Sequence, residues 1–344
     1  MDEILKTVSK DKAFYVFISG FMLIAFTTAL ALGDLKWFIP GVYFAQWTGV
    51  VPIVLAFVFI FYAAQSLKSA SPTRAILEKI QRFLRDRTSG VVLFSCIAIF
   101  HGTFTSLKSM LPELLPFAFD PALADIDEFI HGGPAWMRVR FLDGLTDMVR
   151  SLYSETWFLL TTGITFAMCM ARPGRLRSQY IWTFLLCWSM LGILIAGCFL
   201  SAGPVYYDRL IDEGRFVDLT DRLTSLIRED NFSSQYPDLL WTAYVTKTAG
   251  VGTGISAFPS LHLAMATLFF LVAHRFNRLL GWVMLGYLCI IMLGSVHLGW
   301  HYAVDGYFSI IATTVIWKVV GIRLNAPERQ IDRQRRVWRP WSQV

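Results

Sequence analysis

Charge is what this chain has least of. Only 16% of its 344 residues are Asp, Glu, Lys or Arg while 55% are hydrophobic, a balance that excludes an ordinary soluble domain. Cysteine is also sparse. The five, Cys96, Cys169, Cys187, Cys198 and Cys289, all fall in apolar runs, which leaves no disulfide framework and no zinc-ligating spacing. No internal repeat or low-complexity tract is evident, so the chain reads as one integral membrane domain. The net charge of +6 is not a nucleic-acid footprint, because membrane orientation accounts for it, as set out below.

What is present is long apolar runs. About eight stretches of roughly 17 to 22 residues, the length a bilayer core demands, fall near 13–33, 46–67, 91–107, 152–171, 181–203, 258–274, 279–296 and 302–320. Aromatic residues at 15% suit interfacial belts. The first run, with Lys6, Lys10 and Lys12 ahead of it and Ala29-Leu30-Ala31 near its end, also has the form of a signal peptide; its length favours a retained span. The expectation is an all-α, polytopic helical bundle. Residues 1–90 form two spans and a basic loop, 91–322 a six-helix catalytic core, and 323–344 a basic tail.

Orientation follows from the connections. With the N-terminus cytoplasmic, 21 of the 31 Lys and Arg fall on the cytoplasmic side, as the positive-inside bias requires. In the 68–90 loop the basic residues Lys68, Arg74, Lys79, Arg82, Arg85 and Arg87 alternate with Ile76, Leu77, Ile80 and Leu84, the pattern of a helix lying on anionic lipid. The Arg333 to Trp341 tail has the same interfacial character. Two long outer loops, 108–151 and 204–257, carry short amphipathic segments and are expected to cap the site.

Two polar clusters interrupt this pattern. Ser256-Ala257-Phe258-Pro259-Ser260-Leu261-His262 reads as a loop turning into a membrane helix, with Pro259 at its first position and free backbone donors that attract an anion. His297-Leu298-Gly299-Trp300-His301-Tyr302-Ala303-Val304-Asp305 follows one apolar span later, so two antiparallel spans bring both clusters to one face. Asp305 lies four residues after His301, on the same face if the segment is helical, and can fix the imidazole tautomer. The other ring nitrogen then becomes a better nucleophile or base. His262 arrives as a second, unpaired imidazole, and one histidine to attack with another to shuttle a proton is a sufficient set for metal-free phosphoryl transfer. His297, His301 and Asp305 form an i, i+4, i+8 series that could ligate a metal, but Gly299 argues against a continuous helix there. His101 and Lys108, at the end of the third run, read as interior-lining or snorkelling residues, and His131-Gly132-Gly133-Pro134 as a turn.

Together, Ala257-Phe258-Pro259-Ser260-Leu261-His262 and His301-Tyr302-Ala303-Val304-Asp305 resemble the type 2 phosphatidic acid phosphatase superfamily. Within it the chain is most similar to the branch of inositol phosphorylceramide synthase, with sphingomyelin synthases more distant. Ser201-Ala202-Gly203-Pro204-Val205-Tyr206-Tyr207 looks like a weaker relative of that branch's Ala-Pro-Pro-aromatic segment. The resemblance covers roughly 91–320. It implies that His301 attacks phosphorus to form a phosphohistidine, that Asp305 orients it, and that His262 protonates the leaving alkoxide and later deprotonates the acceptor. It implies no metal and no cofactor.

Departures from the pattern carry information. Phosphatases of the superfamily have a Lys ahead of an Arg-Pro pair and an Arg six residues before the nucleophile; here that last position is Ser295, and Arg172-Pro173 falls on the other side of the membrane. Fewer cations match a phosphodiester better than a dianionic monoester. The expected activity is therefore transfer of a phosphoryl-linked head group from a phospholipid donor to a lipid or glycan hydroxyl, with a lipid phosphate phosphatase, or a transporter or scaffold, as the alternatives. Ser260, Lys247, Arg209 and Ser295 are expected at the phosphate, and Tyr206, Tyr207 and His297 along the substrate. The setting expected is a bacterial inner membrane with a periplasmic site and cytoplasmic termini.

Overall fold

The computed structural model describes residues 11–49, 71–211, 214–226 and 236–337, together with a few residues between 52 and 66. Most of the expected span at 46–67, the lysines Lys6 and Lys10, and the Trp338 to Trp341 end of the tail lie outside the described residues. Among the described residues every regular element is helical. The principal helices are α1 Lys12–Ala31, α2 Pro72–Leu114, α3 Asp120–His131, α4 Trp157–Met170 and α5 Arg175–Cys198. After these come α6 Pro204–Ile211, α7 Val217–Leu226, α8 Tyr236–Val245, α9 Leu261–Phe276, α10 Arg278–His297 and α11 Ala303–Val337.

Among the described residues five segments are long and apolar enough to cross a membrane: Lys12–Ala31, Arg87–Leu114, Arg175–Cys198, Arg278–His297 and Ala303–Asn325. They mark a membrane protein. The expected runs at 152–171 and 258–274 are helical too, but shorter: α4 has 14 residues after a five-residue π turn, and α9 has 16. The separate surface helix expected over 68–90 is instead continuous with the span that follows, in one 43-residue helix. Nothing between Pro72 and Leu111 breaks the i to i+4 ladder, and Gly90 sits where a Cβ would meet the Cys169 carbonyl oxygen at 2.6 Å, so it serves a close approach of α4 rather than a turn.

The bundle is organised on α2, of whose apolar span 72% is buried against 28% for α1 and for α11. Phe94, Ile97 and Phe100 of α2 are fully enclosed, as are Tyr180 and Phe184 of α5 and Leu263 and Phe269 of α9. α9 and α10 form a tight antiparallel hairpin. Asn277 is its sole link, accepting hydrogen bonds at Oδ1 from the amides of Leu279 (2.7 Å) and Leu280 (3.3 Å), an N-cap that starts α10 with no spacer. Gly281 lets the two helices meet there, because a Cβ would lie 2.7 Å from the His274 ring. This hairpin sets where the polar clusters fall: the start of α9, the end of α10 and the start of α11 share one end of the bundle. The short helices described within 115–151, 201–211, 214–226 and 236–260 pack at that same end.

Candidate functional site

Helix α9 begins at Leu261, two residues later than the proline suggests. Pro259 follows a cis peptide bond and lies outside the helix, while Ser260 is the N-cap, its Oγ accepting a long hydrogen bond of 3.4 Å from the Leu263 amide. His262 thus occupies the first turn. Its ring is stacked on Tyr153 (centroids 4.1 Å apart, planes 11°) and lies against Trp157 (4.1 Å, 31°), whose Nε1 donates to the His262 carbonyl at 3.2 Å. Tyr153 is carried by the π turn Leu152–Thr156 that precedes α4, the kind of irregularity that re-aims a side chain.

His301 arrives differently. Helix α10 ends at His297, and Gly299, at φ +71°, turns the chain where any side chain would press on Leu219 and Leu223 at 3.2 and 3.3 Å. His301 therefore lies just before α11, not within a helix shared with Asp305. The pair still forms: Asp305, in the first turn of α11, accepts at Oδ2 from the Tyr302 amide (3.2 Å) and meets His301 Nδ1 at 3.1 Å. The carboxylate is both a helix cap and the partner of the ring. The His262 and His301 rings face one another with centroids 6.4 Å apart. Burial first, and then the positive charge of Lys108, hold the His301 imidazole down to about 3. That shift favours the neutral ring, with the nitrogen opposite Asp305 available as a nucleophile.

Two stretches brace this constellation. The Ser201 carbonyl accepts from the Ala257 amide (2.8 Å) and its Oγ from the Phe258 amide (3.1 Å), while the Val205 amide donates to the Gly299 carbonyl (2.9 Å). The 201–205 segment thereby ties the loop before His262 to the loop before His301. Gly203, at φ +91°, permits this, since a Cβ would lie 2.6 Å from the Trp300 carbonyl oxygen. Asp120, fully buried at the start of α3, accepts from the amides of Ala202 and Gly203 (both 2.8 Å) and from the Tyr302 hydroxyl (2.9 Å). Burial raises its carboxyl and those three donors oppose the rise. Asp127, two turns on, accepts from the Val304 amide at 3.1 Å. Asp120 and Asp127 drew no role from sequence; the only available signal was the run of acids in an otherwise apolar amphipathic segment.

Of the expected contacts, the structure gathers His262, His301, Asp305 and Ser260 at one place. Ser295 is buried beneath them, its carbonyl accepting from the Trp300 (3.0 Å) and His301 (3.3 Å) amides. Lys247 and Arg209 are engaged elsewhere, with Glu113 at 2.7 Å and with Asp238 at 3.0 Å. Tyr206 is buried, stacks on Trp241 and donates to the Pro237 carbonyl (2.9 Å), and Tyr207 packs on Phe216. His297 is fully enclosed: Arg222 donates to its Nδ1 (2.8 Å) and Thr146 Oγ1 meets its Nε2 (2.9 Å). A small pocket, with room for about one water, is bordered by Asp127, Trp136, Phe216 and Tyr302 and reaches His301. Among the described residues no three His, Cys, Asp or Glu side chains converge as a metal site.

A carboxylate-backed imidazole facing a second imidazole at one end of a helical membrane bundle is an arrangement suited to phosphoryl chemistry. The chain is a member of the PAP2 superfamily, whose sequence model matches residues 122–319. Members are generally phosphatases or phosphotransferases acting on phosphate esters. No curated protein and no solved structure matches the chain.

Proposed function

We propose that this protein is a lipid phosphotransferase that moves a phosphoryl-linked head group from a phospholipid to the hydroxyl of a second lipid or of a glycan. The observation that carries the reading is the His301–Asp305 pair at 3.1 Å facing His262 across 6.4 Å. That gap admits a single phosphoryl group between the rings. In the first step His301 Nε2 forms a bond to phosphorus, the bond from phosphorus to the diacylglycerol oxygen breaks, and the leaving oxygen takes a proton from His262. In the second, the acceptor hydroxyl gives its proton to His262, its oxygen bonds to phosphorus, and the P–N bond to His301 breaks. Asp305 keeps the His301 tautomer fixed throughout. The amides at the start of α9 face the phosphoryl oxygens.

Transfer is favoured over hydrolysis by the scarcity of free cations. Lys247, Arg209, Arg215 and Arg222 are each committed to a carboxylate, and Ser295 stands where the phosphatases it resembles carry arginine. Such a site suits one negative charge better than two. The resemblance to the inositol phosphorylceramide synthase branch supports a ceramide- or diacylglycerol-like acceptor. The short helices of 115–151 and 201–260 act as a cap. Phe129, Phe141 and Ile130 on the first stretch are exposed, which suits contact with the outer leaflet and sideways access for lipids. The loop charge bias supports a site on the non-cytoplasmic face, periplasmic in a bacterium.

The test is to incubate the purified protein in nanodiscs with phospholipids of several head groups, with and without ceramide or diacylglycerol, and follow lipid products and free phosphate by mass spectrometry. His301→Ala and a chelator are the controls. The expected result is a new head-group-bearing lipid, absent in the variant and indifferent to chelation. Inorganic phosphate from monoester lipids alone would replace this reading with a phosphatase.

A further inference from the structure

His262 has to carry a proton between two oxygens, yet among the described residues no carboxylate is paired with it. The titratable groups that bear on it from neighbouring elements are the His301 ring and the Lys108 ammonium, neither of which is an anion. Asp305 is turned to His301 Nδ1 and the Tyr302 amide. On α10, His297 is engaged by Arg222 and Thr146, and the Tyr287 hydroxyl donates to the Leu152 carbonyl. Glu155, in the π turn before α4, is exposed, and α4 and α5 bring no charged side chain to this end. An enclosed imidazolium without a counter-ion is costly.

What does face His262 is a pair of rings. Tyr153 and Trp157 each lie with centroids 4.1 Å from it, at 11° and 31° to its plane. Two rings so close and so nearly parallel cannot share one side of an imidazole, so they cover opposite faces. Residues four apart on an unbroken α-helix stand about 5–6 Å from one another, closer than two rings that hold a third between them. The π turn Leu152–Thr156 breaks that register, and the Tyr287 bond to Leu152, at 2.9 Å, pins the turn. Trp157 is fixed in its place by donating Nε1 to the His262 carbonyl. The Tyr153 hydroxyl is buried without a hydrogen-bond partner, so what His262 meets is the ring face and not the polar end.

We propose that Tyr153 and Trp157 are positioning residues that clasp the protonated His262 between two π faces, taking the place of the carboxylate it lacks. A cation held over an aromatic face is attracted by the ring quadrupole, most strongly where water is excluded, so the clasp offsets part of the cost of the charge. It also sets the plane of the imidazole without using either ring nitrogen, which leaves them free for the leaving oxygen and then for the acceptor hydroxyl. This rests on the phosphotransferase reading and deepens it. A carboxylate would hold the proton against transfer, whereas two neutral faces favour the imidazolium and still let the proton go.

The test is a pH–rate profile of the full-length protein in nanodiscs of phosphatidylcholine, phosphatidylethanolamine, phosphatidylglycerol and phosphatidylinositol with ceramide and diacylglycerol, following new head-group-bearing lipid. The variants are Tyr153→Leu, Trp157→Leu, and Tyr153→Phe with its ring progressively fluorinated, which drains the π face while keeping the shape and so the fold. A face that favours the protonated ring raises the pH at which the proton is lost. Removing one should therefore move the alkaline limb of the profile to lower pH, by about 0.5–1.5 units in the two leucine variants. Unfluorinated Tyr153→Phe should move it least, and each added fluorine should move it further. A structural role predicts an equal loss of rate at every pH with the limb in place. That outcome, with no trend across the fluorinated series, would overturn the assignment and leave the phosphotransferase standing. Absence of lipid product from wild type at every pH would remove both.

Discussion

The two ends of the bundle treat buried charge in opposite ways. At one end Arg177 and Asp11, 3% and 2% exposed, form a two-pronged pair with both N to O distances under 3 Å, 2.6 and 2.8 Å, and so tie α5 to the residue before α1. Each charge answers the other. At the other end Asp305 Oδ1 accepts nothing although fully buried, and His262 holds only aromatic faces. Intramembrane ionisable groups are costly in either setting. What separates a structural role from a chemical one is whether the cost is already offset within the fold or left for a substrate to offset.

Removing the histidine that faces this unsatisfied end should give the largest effect. His301→Ala is expected to lower turnover by about 10⁴-fold or more, and Asp305→Asn by about 10²- to 10⁴-fold through loss of the tautomer, with thermal midpoints close to wild type. Retention of a tenth of wild-type turnover by His301→Ala would end the contrast, since this end would then be as structural as the other. Asp11→Ala should do the opposite. Leaving Arg177 buried alone costs about 3–5 kcal/mol, read as a depressed thermal midpoint, while the protein that remains folded keeps its specific activity. Adding Arg177→Met to it should recover much of the loss, because a neutral pair leaves no orphan charge; a double variant no better than the single would refute this.

Asp120 sharpens the comparison because it is satisfied and yet stands beside the site. Asp120→Ala strands the amides of Ala202 and Gly203 and the Tyr302 hydroxyl, at about 1–3 kcal/mol for each buried donor that water cannot reach. The 201–205 segment and the turn that carries His301 should loosen together. Turnover is expected to fall about tenfold with little change in KM, since geometry rather than substrate contact is lost. A change confined to KM would show instead that Asp120 touches the substrate.

How much of this was legible beforehand depends on distance along the chain. His301 and Asp305 are four residues apart, and His262 is one hairpin away, so period and span length sufficed to bring them to one face. Gly299 announced the break before His301. The start of α9 was displaced by two residues, because Ser260 rather than the proline satisfies the first free amides. The continuity of α2 across Ser89 and Gly90 was not legible, since a glycine that admits a neighbouring helix looks the same in sequence as one that ends a helix. Asp120 and Arg222 act on partners 75 to 182 residues away, at separations that a single chain's periodicity does not encode. Lys247 and Arg209 were attractive for their charge alone, and each has an acid beside it that only the fold reveals.

The smallest effect concerns the strap that joins α7 to the end of α10. Arg222 contacts Asp143 closely, donates to His297 Nδ1 at 2.8 Å and to the His297 carbonyl at 3.3 Å, so the outer segments are fastened one turn of chain from His301. The Arg222 hydrogen bond, and then its charge, hold the Asp143 carboxyl below its ordinary value of 3.8. A carboxyl depressed in the fold adds stability that is fully present above the unfolded value and fades as pH falls through the depressed one. The wild-type thermal midpoint should therefore drop more steeply than that of Arg222→Gln as pH is lowered from about 5 to about 3, and the two curves should run parallel above that window. Because Asp143 is partly exposed, the difference should be small and should shrink in high salt. Curves that stay parallel down to the lowest pH would mean that the strap is held by Arg222 and His297 without the carboxylate, and that this pairing resembles the packed Arg177 end less than its geometry implies.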